Sequence, residues 1–343
     1  MPATSTTSDA IEKAWSAVAM EATNGDGYYS VRVFAESACS IFVGQHQPSG
    51  LIVFSFEVDP ESIKKLTLRQ EAKGFQIAIQ KPSNAPNQKV RRITISLNRA
   101  SFRDLFKALA IDVISHCILA STEVDAVIRL ESRLEHWRRF LEKSGADGLS
   151  TSFQIGLFGE LLFLRTMVER GADSAHVLKS WHGPHRENQD YCFGPTAVEV
   201  KASASNNPNL VSISNTRQLD GTGLAHLFLY QACFDRRDGS GETLPSAVES
   251  LLSHFREDGS NCEDLFESLL IAQGYHHSQS HLYDVAGYTL RTQQLYEVSP
   301  GFPRITECDL ASGVVEATYK IDLSTAAPFK RNLHQFIDSD LIQ

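Results

Sequence analysis

Residues 188–203, Asn-Gln-Asp-Tyr-Cys-Phe-Gly-Pro-Thr-Ala-Val-Glu-Val-Lys-Ala-Ser, carry three charges at a spacing that could do chemistry. A turn at Gly194-Pro195 makes the segment a hairpin. With Phe193 and Thr196 flanking that turn, Asp190 stands directly across from Glu199, their Cβ atoms about 4.5–5.5 Å apart. Two carboxylates that close repel unless a cation joins them. Side chains alternate along a strand, so Glu199 and Lys201 share the Asp190 face, while Tyr191, Phe193, Val198 and Val200 form an apolar opposite face. One face packs and the other presents charge. Hard carboxylate oxygens hold Mg²⁺ through one or two ligands and leave its remaining positions to water and a substrate phosphate. Lys201, beside that water, would stabilise a developing phosphorane charge or, if desolvation depresses its pKa, help to deprotonate the attacking water. The chemistry implied is phosphodiester hydrolysis.

A further acid lies upstream in Phe153-Gln-Ile-Gly-Leu-Phe-Gly-Glu160-Leu-Leu-Phe-Leu-Arg165, after the capping candidates Ser150, Thr151 and Ser152. A helix this apolar on most sides is buried, and a buried Glu160 must find a cation or a strong donor. A metal or a core Arg or Lys would serve. Gly156 and Gly159 each weaken the helix by about 1 kcal/mol relative to Ala, a cost that close approach to a sheet would offset. A second Glu-x-Lys, Glu71-Ala-Lys73 with Asp59 upstream, sits in a polar stretch ended by Gly74 and reads as a decoy facing solvent.

Asp190 followed by Glu199-Val-Lys201 resembles the PD-(D/E)XK, or restriction-endonuclease-like, superfamily, although Gln189 stands where that pattern has proline. The order of helix with Glu160, hairpin, then further helices and strands is similar to the superfamily core. More narrowly, Gly156-Leu-Phe-Gly-Glu-Leu161, Trp181-His-Gly-Pro184, Phe302-Pro-Arg-Ile305 and Tyr319-Lys-Ile-Asp-Leu323 look like an uncharacterised bacterial PD-(D/E)XK family found in restriction and phage-defence gene clusters, over about residues 10–330. The resemblance implies an α/β fold with a mixed sheet, a restriction-endonuclease-like core carrying an added mixed α/β amino-terminal domain. It implies a Mg²⁺-dependent DNA endonuclease, with Mn²⁺ as a substitute metal. Asp190, Glu199, Glu160 and the Val200 backbone carbonyl would hold the metal, and Lys201 would serve catalysis. Gln218, on a short helical piece after the Lys201 strand, is a weaker catalytic candidate, with an ordinary surface amide as its alternative. DNA is the implied partner, with a methyltransferase or other defence subunits, or a second copy of the chain, beside it. A catalytically silent binding or assembly subunit and a repair or recombination nuclease remain the alternatives.

A chain of 343 residues with 42% hydrophobic composition can bury two cores. The expected division is a mixed α/β domain over 1–145 and a nuclease-like domain over 150–343, joined by the polar stretch 142–150. Six scattered cysteines without any Cys-x-x-Cys argue against a zinc knuckle or a disulfide framework. With no signal-like amino terminus and no apolar run of membrane-spanning length, a cytoplasmic protein without a membrane partner is expected. A net charge of −9 weighs against nucleic acid, but local basic segments can still track a backbone. The loop with Lys81, Lys89, Arg91 and Arg92 is one such segment, and His185 and Arg186, beside His182, could contact phosphate.

The elements that must position these residues follow from periodicity. Residues 1–10 read as disordered and a first helix as Ala10–Thr23; strands follow near Tyr28–Phe34, Cys39–Val43, Leu51–Glu57, Phe75–Ile79 and Arg92–Leu97. Ser101 and Thr122 head capping boxes closed by Asp104 and Asp125. The second of these helices spaces Val127, Leu130, Leu134, Trp137 and Leu141 as a packing seam. Beyond the hairpin come a strand at Ala225–Cys233, helices near Leu244–Arg256 and Glu263–Gln273, and carboxy-terminal strands. His276, His277, His281 and Asp284 lie in a loop-like stretch poorly suited to zinc. No nucleophile elbow, phosphate-binding Gly loop or dinucleotide fingerprint occurs.

Overall fold

Turn chemistry and alternating apolar residues account for most of the architecture. The computed structural model describes residues 3–21, 27–64, 69–82, 89–183, 188–258 and 261–342. It divides into two compact units, 1–147 and 148–343.

The first unit is an antiparallel sheet with helices on it. Strands β1 (Gly27–Val33), β2 (Ser40–Gln47), β3 (Leu51–Val58), β4 (Glu71–Ala72), β5 (Phe75–Gln80) and β6 (Arg91–Leu97) lie in the order β1-β2-β3-β6-β5-β4. Helix α1 (Ala3–Glu21) buries Ile11, Trp15 and Val18 at helical spacing, and Trp15 Nε1 donates to the Val53 carbonyl at 3.3 Å. That helix corrects the expectation of a disordered residues 1–10: it begins at Ala3, with Thr7 buried. Helices α2 (Arg103–Cys117) and α3 (Glu123–Lys143) pack on each other, and the α3 seam is buried there. Asp112 on α2 accepts from Arg133 Nε at 2.9 Å and Trp137 Nε1 at 2.8 Å on α3. Thr122 caps α3 by accepting from the Asp125 amide. Ser101 caps nothing, because the chain enters α2 through a 3₁₀ turn at Ala100–Phe102 that encloses it.

The second unit carries a mixed sheet. Ser150 caps α4 (Thr151–Glu169), and α5 (Ser174–Ser180) follows. Strands β7 (Tyr191–Phe193) and β8 (Thr196–Ser203) form the hairpin. The long strand β10 (His226–Asp238) runs parallel to β8, which requires a crossover, and residues 204–225 supply it with strand β9 (Leu210–Ile213) on the way. After β11 (Glu242–Thr243), α6 (Leu244–Glu257) and α7 (Cys262–Gln273), β12 (Ala286–Glu297) pairs antiparallel with β10. Strand β13 (Tyr319–Asp322) pairs β9, β14 (Lys330–Arg331) pairs β12, and α8 (Leu333–Ile337) ends the chain. The sheet separates two cores. Val198, Val200, Phe228 and Tyr230 pack with α4–α7, whereas Ala197, Leu227 and Leu229 pack with Val211, Ile213 and Ile321. The face bearing the charges is therefore partly covered too, which the alternation of β8 alone does not reveal.

Candidate active site

The Gly194 turn, with φ +56°, opposes Phe193 to Thr196 and Tyr191 to Val198, so the next register position pairs Asp190 with Glu199. Asp190 lies just before β7, and its Oδ2 accepts from the Val200 amide at 2.8 Å, taking the place of a backbone rung. Its backbone carbonyl accepts from the amides of His182 at 2.7 Å and Gly183 at 3.0 Å. Glu199 is buried, and its Oε1 stands 2.7 Å from Lys201 Nζ. Lys201 Nζ also donates to Gln218 Oε1 at 3.0 Å, an oxygen that accepts from the Ser214 amide at 2.9 Å. The crossover thus brings Gln218 to Lys201. It does so on a turn rather than on the helix expected there, because Asn215 Oδ1 binds the amides of Arg217 and Gln218 and closes a tight loop.

Glu160 reaches the same place from α4. A Cβ on Gly159 would stand 2.4 Å from Ala202 Cβ, so only glycine lets α4 sit this close to β8. Gly156 meets nothing within 4 Å and has no such role. Glu160 Oε2 accepts from Trp181 Nε1 at 2.7 Å and Gln273 Nε2 at 2.6 Å, while Tyr191 Oη donates to the Glu160 carbonyl at 2.9 Å. Gly183 closes the cluster. A Cβ there would lie 2.7 Å from Glu160 Oε2 and 3.2 Å from Asp190 Oδ1, so both carboxylates border one small space that any side chain would fill.

Three carboxylates here meet one ammonium. Burial, then the nearby Asp190, push the Glu199 carboxyl well above the ordinary Glu value, against the pull of Lys201. Burial likewise raises Asp190, with Lys201 and the Val200 amide opposing. Burial alone would lower Lys201, but Glu199 and Asp190 outweigh it and hold the ammonium above the ordinary Lys value. The acids around Lys201 thus favour its cationic form.

The donor set fits a hard divalent cation. Glu199 Oε2 is buried without a hydrogen-bond partner among the described residues, and the space under Gly183 adjoins Asp190 and Glu160. Among the described residues no group of three or more His, Cys, Asp or Glu side chains is placed to hold a metal ion. Mg²⁺ asks for less, since one or two carboxylates suffice when water and phosphate fill the rest. Of Val200, the polar group engaged is the amide, bound to Asp190.

Other candidates lie elsewhere. Arg92 Nε donates to Glu57 at 3.0 Å and its guanidinium sits 4.7 Å over the Phe42 ring, so its charge is used inside the first unit's sheet. Lys81 and Lys89 are exposed and Arg91 is half-buried. His185 and Arg186 lie outside the described residues. Glu71, Lys73 and Asp59 are exposed in the first unit. His276 Nδ1 pairs with Ser278 Oγ at 2.9 Å, at the start of a 3₁₀ turn. Sequence reasoning missed Gly183, Trp181 as a Glu160 donor, and Gln273. Trp181-His-Gly183 does stand out as a motif, but nothing local flags Gln273, 113 residues from Glu160.

The model of a family described as "Putative PD-(D/E)XK family member" matches residues 11–324, well over half of the chain. No curated protein and no solved structure matches significantly.

Proposed function

Because the chain belongs to this PD-(D/E)XK family, and so to a nuclease superfamily, we propose that it is a Mg²⁺-dependent DNA endonuclease of a restriction or phage-defence system. The observation that carries the reading is the excess of Asp190, Glu199 and Glu160 over Lys201, together with the unpartnered Glu199 Oε2. Mg²⁺, or Mn²⁺ in its place, would polarise the scissile phosphate and offset its charge. Asp190, with Glu199 or Glu160 beside it, would hold the cation. The Val200 amide fixes Asp190, while Trp181 and Gln273 orient Glu160. Lys201 faces the negative charge that grows on the phosphoryl oxygens, and Gln218 keeps its ammonium in place.

Phosphate contacts carry no direct sequence information. Recognition of a DNA site, or dimerisation, is therefore assigned to the unit over residues 1–147, with Lys81, Lys89 and Arg91 as candidate cations. A methyltransferase or other defence subunit would be the natural protein partner.

The test is nicking of supercoiled plasmid by the purified chain in Mg²⁺, Mn²⁺ or chelator. Metal-dependent nicking should vanish in Lys201→Ala and in Asp190→Asn, which keeps an acceptor for the Val200 amide. A second reading, a silent binding or assembly subunit, is favoured by one observation: the protein's own donors already engage one oxygen of Asp190 and one of Glu160. It requires DNA binding that is equal in wild type and Lys201→Ala, with no cleavage in either.

A further inference from the structure

The crossover that delivers Gln218 also opens a groove beside Lys201. A cavity of about 220 Å³ is lined by Lys201, Ser203, Ser205, Ser212 and Lys320 over an apolar floor that includes Val211. Lys320 stands opposite Ser212 in the β9–β13 ladder, exposed, and forms no ion pair among the described residues. By contrast, Arg165, Arg170, Arg217, Arg256 and Arg331 of the same unit are each held by a carboxylate. At the Ser205 end, Arg291 Nη1 donates to the Ser205 carbonyl at 3.3 Å and adds a further cation.

The lining is chemically one-sided. It offers ammonium groups and hydroxyl donors and contains no Asp or Glu, in a chain whose net charge is −9. Such a surface repels nothing anionic and binds phosphate through charge-assisted hydrogen bonds. The groove is also continuous with Lys201, the residue assigned to the scissile phosphate, so an anion seated in it is tied to the same strand.

We propose that this groove holds a non-scissile phosphate of the nucleic-acid strand being cut, with Lys320 as its positioning residue and Ser203 and Ser212 as supporting donors. The proposal rests on the nuclease reading above and names where the strand runs: from Lys201 along the end of β8 towards the β9–β13 ladder.

The experiment is fluorescence anisotropy of the full chain with labelled DNA of about 20 nucleotides, single-stranded and duplex, across a salt series without divalent metal. Lys320→Ala should weaken binding about fivefold at low salt and flatten the salt slope by about 0.9 for duplex or about 0.7 for single strand. Lys320→Arg should restore both, and Mn²⁺ affinity should be the same in all three proteins. A single methylphosphonate linkage, walked along the wild-type substrate, should weaken binding at one non-scissile position and have no effect there in Lys320→Ala. Binding by wild type with unchanged affinity and slope in Lys320→Ala overturns the groove assignment alone. Absence of wild-type binding to both DNA forms and to an RNA strand of the same sequence overturns the nuclease reading and the groove with it.

Discussion

Gly183→Ala puts a methyl group 2.7 Å from Glu160 Oε2 and 2.9 Å from Gln273 Nε2, where 3.4 Å is ordinary contact. Glu160 must retreat by about 0.7 Å to relieve it. Its hydrogen bonds from Trp181 and Gln273, now 2.7 and 2.6 Å, cannot both survive that shift. A hydrogen bond to a charged group contributes about 1.5–3 kcal/mol. Replacing Gly by Ala at a compatible backbone returns about 0.4–1 kcal/mol through the unfolded chain. Losing one bond therefore costs the fold about 0.5–2.6 kcal/mol. The larger effect falls on the cation, because disturbing groups that orient a ligand typically weakens metal affinity about 10–100-fold. Gly156→Ala is the matched control: its Cβ meets nothing within 4 Å, and it should stabilise α4 by up to about 1 kcal/mol with metal affinity unchanged. Scanning calorimetry and Mn²⁺ titration calorimetry on the three proteins decide the matter. Wild-type Mn²⁺ affinity in Gly183→Ala would refute the convergence of Glu160 and Asp190 on one cation.

Three further outcomes are expected. Burial and then Asp190 hold Glu199 above its ordinary value of 4.5, so its contribution to stability is full below that pH and is lost as pH rises through the folded-state pKa. Melting curves between about pH 5 and 8 should accordingly shift in favour of Glu199→Gln over wild type as pH rises, and a gap that narrows instead would contradict the raised carboxyl. In the first unit, Arg92→Ala should cost about 1–2 kcal/mol of stability, since it removes a half-buried pair with Glu57 and the contact over Phe42. Lys89→Ala with Arg91→Ala should reduce the salt slope of DNA binding by up to about 1.8; an unaltered slope would exclude that edge as a phosphate contact.

What the sequence revealed about the site depended on how local the determining interaction was. A single turn sets the Asp190–Glu199 register, so counting outwards from Gly194-Pro195 was enough. Glu160 stood out because a carboxylate in an apolar helix must be answered by something, and Gly159 beside it announced a close approach to β8. The protonation of Lys201 was not legible, since it depends on how many acids converge from α4, β7 and β8 together. Gln273 arrives from α7 through tertiary packing alone. At the amino terminus, a Thr- and Ser-rich stretch read as disordered forms helix from Ala3, because burial of Ile11, Trp15 and Val18 outweighs weak local propensity. Arg92 looked available only because its cross-strand partner Glu57 lies 35 residues away.

The carboxylate of Asp190 stands in for the rung that a longer β7 would have supplied, bonding the Val200 amide where the backbone ladder stops. A residue with two employments is held in place by selection on either one. The ladder needs an acceptor at 190 whether or not the hairpin does any chemistry. An intact Asp190 therefore testifies to the fold before it testifies to an activity.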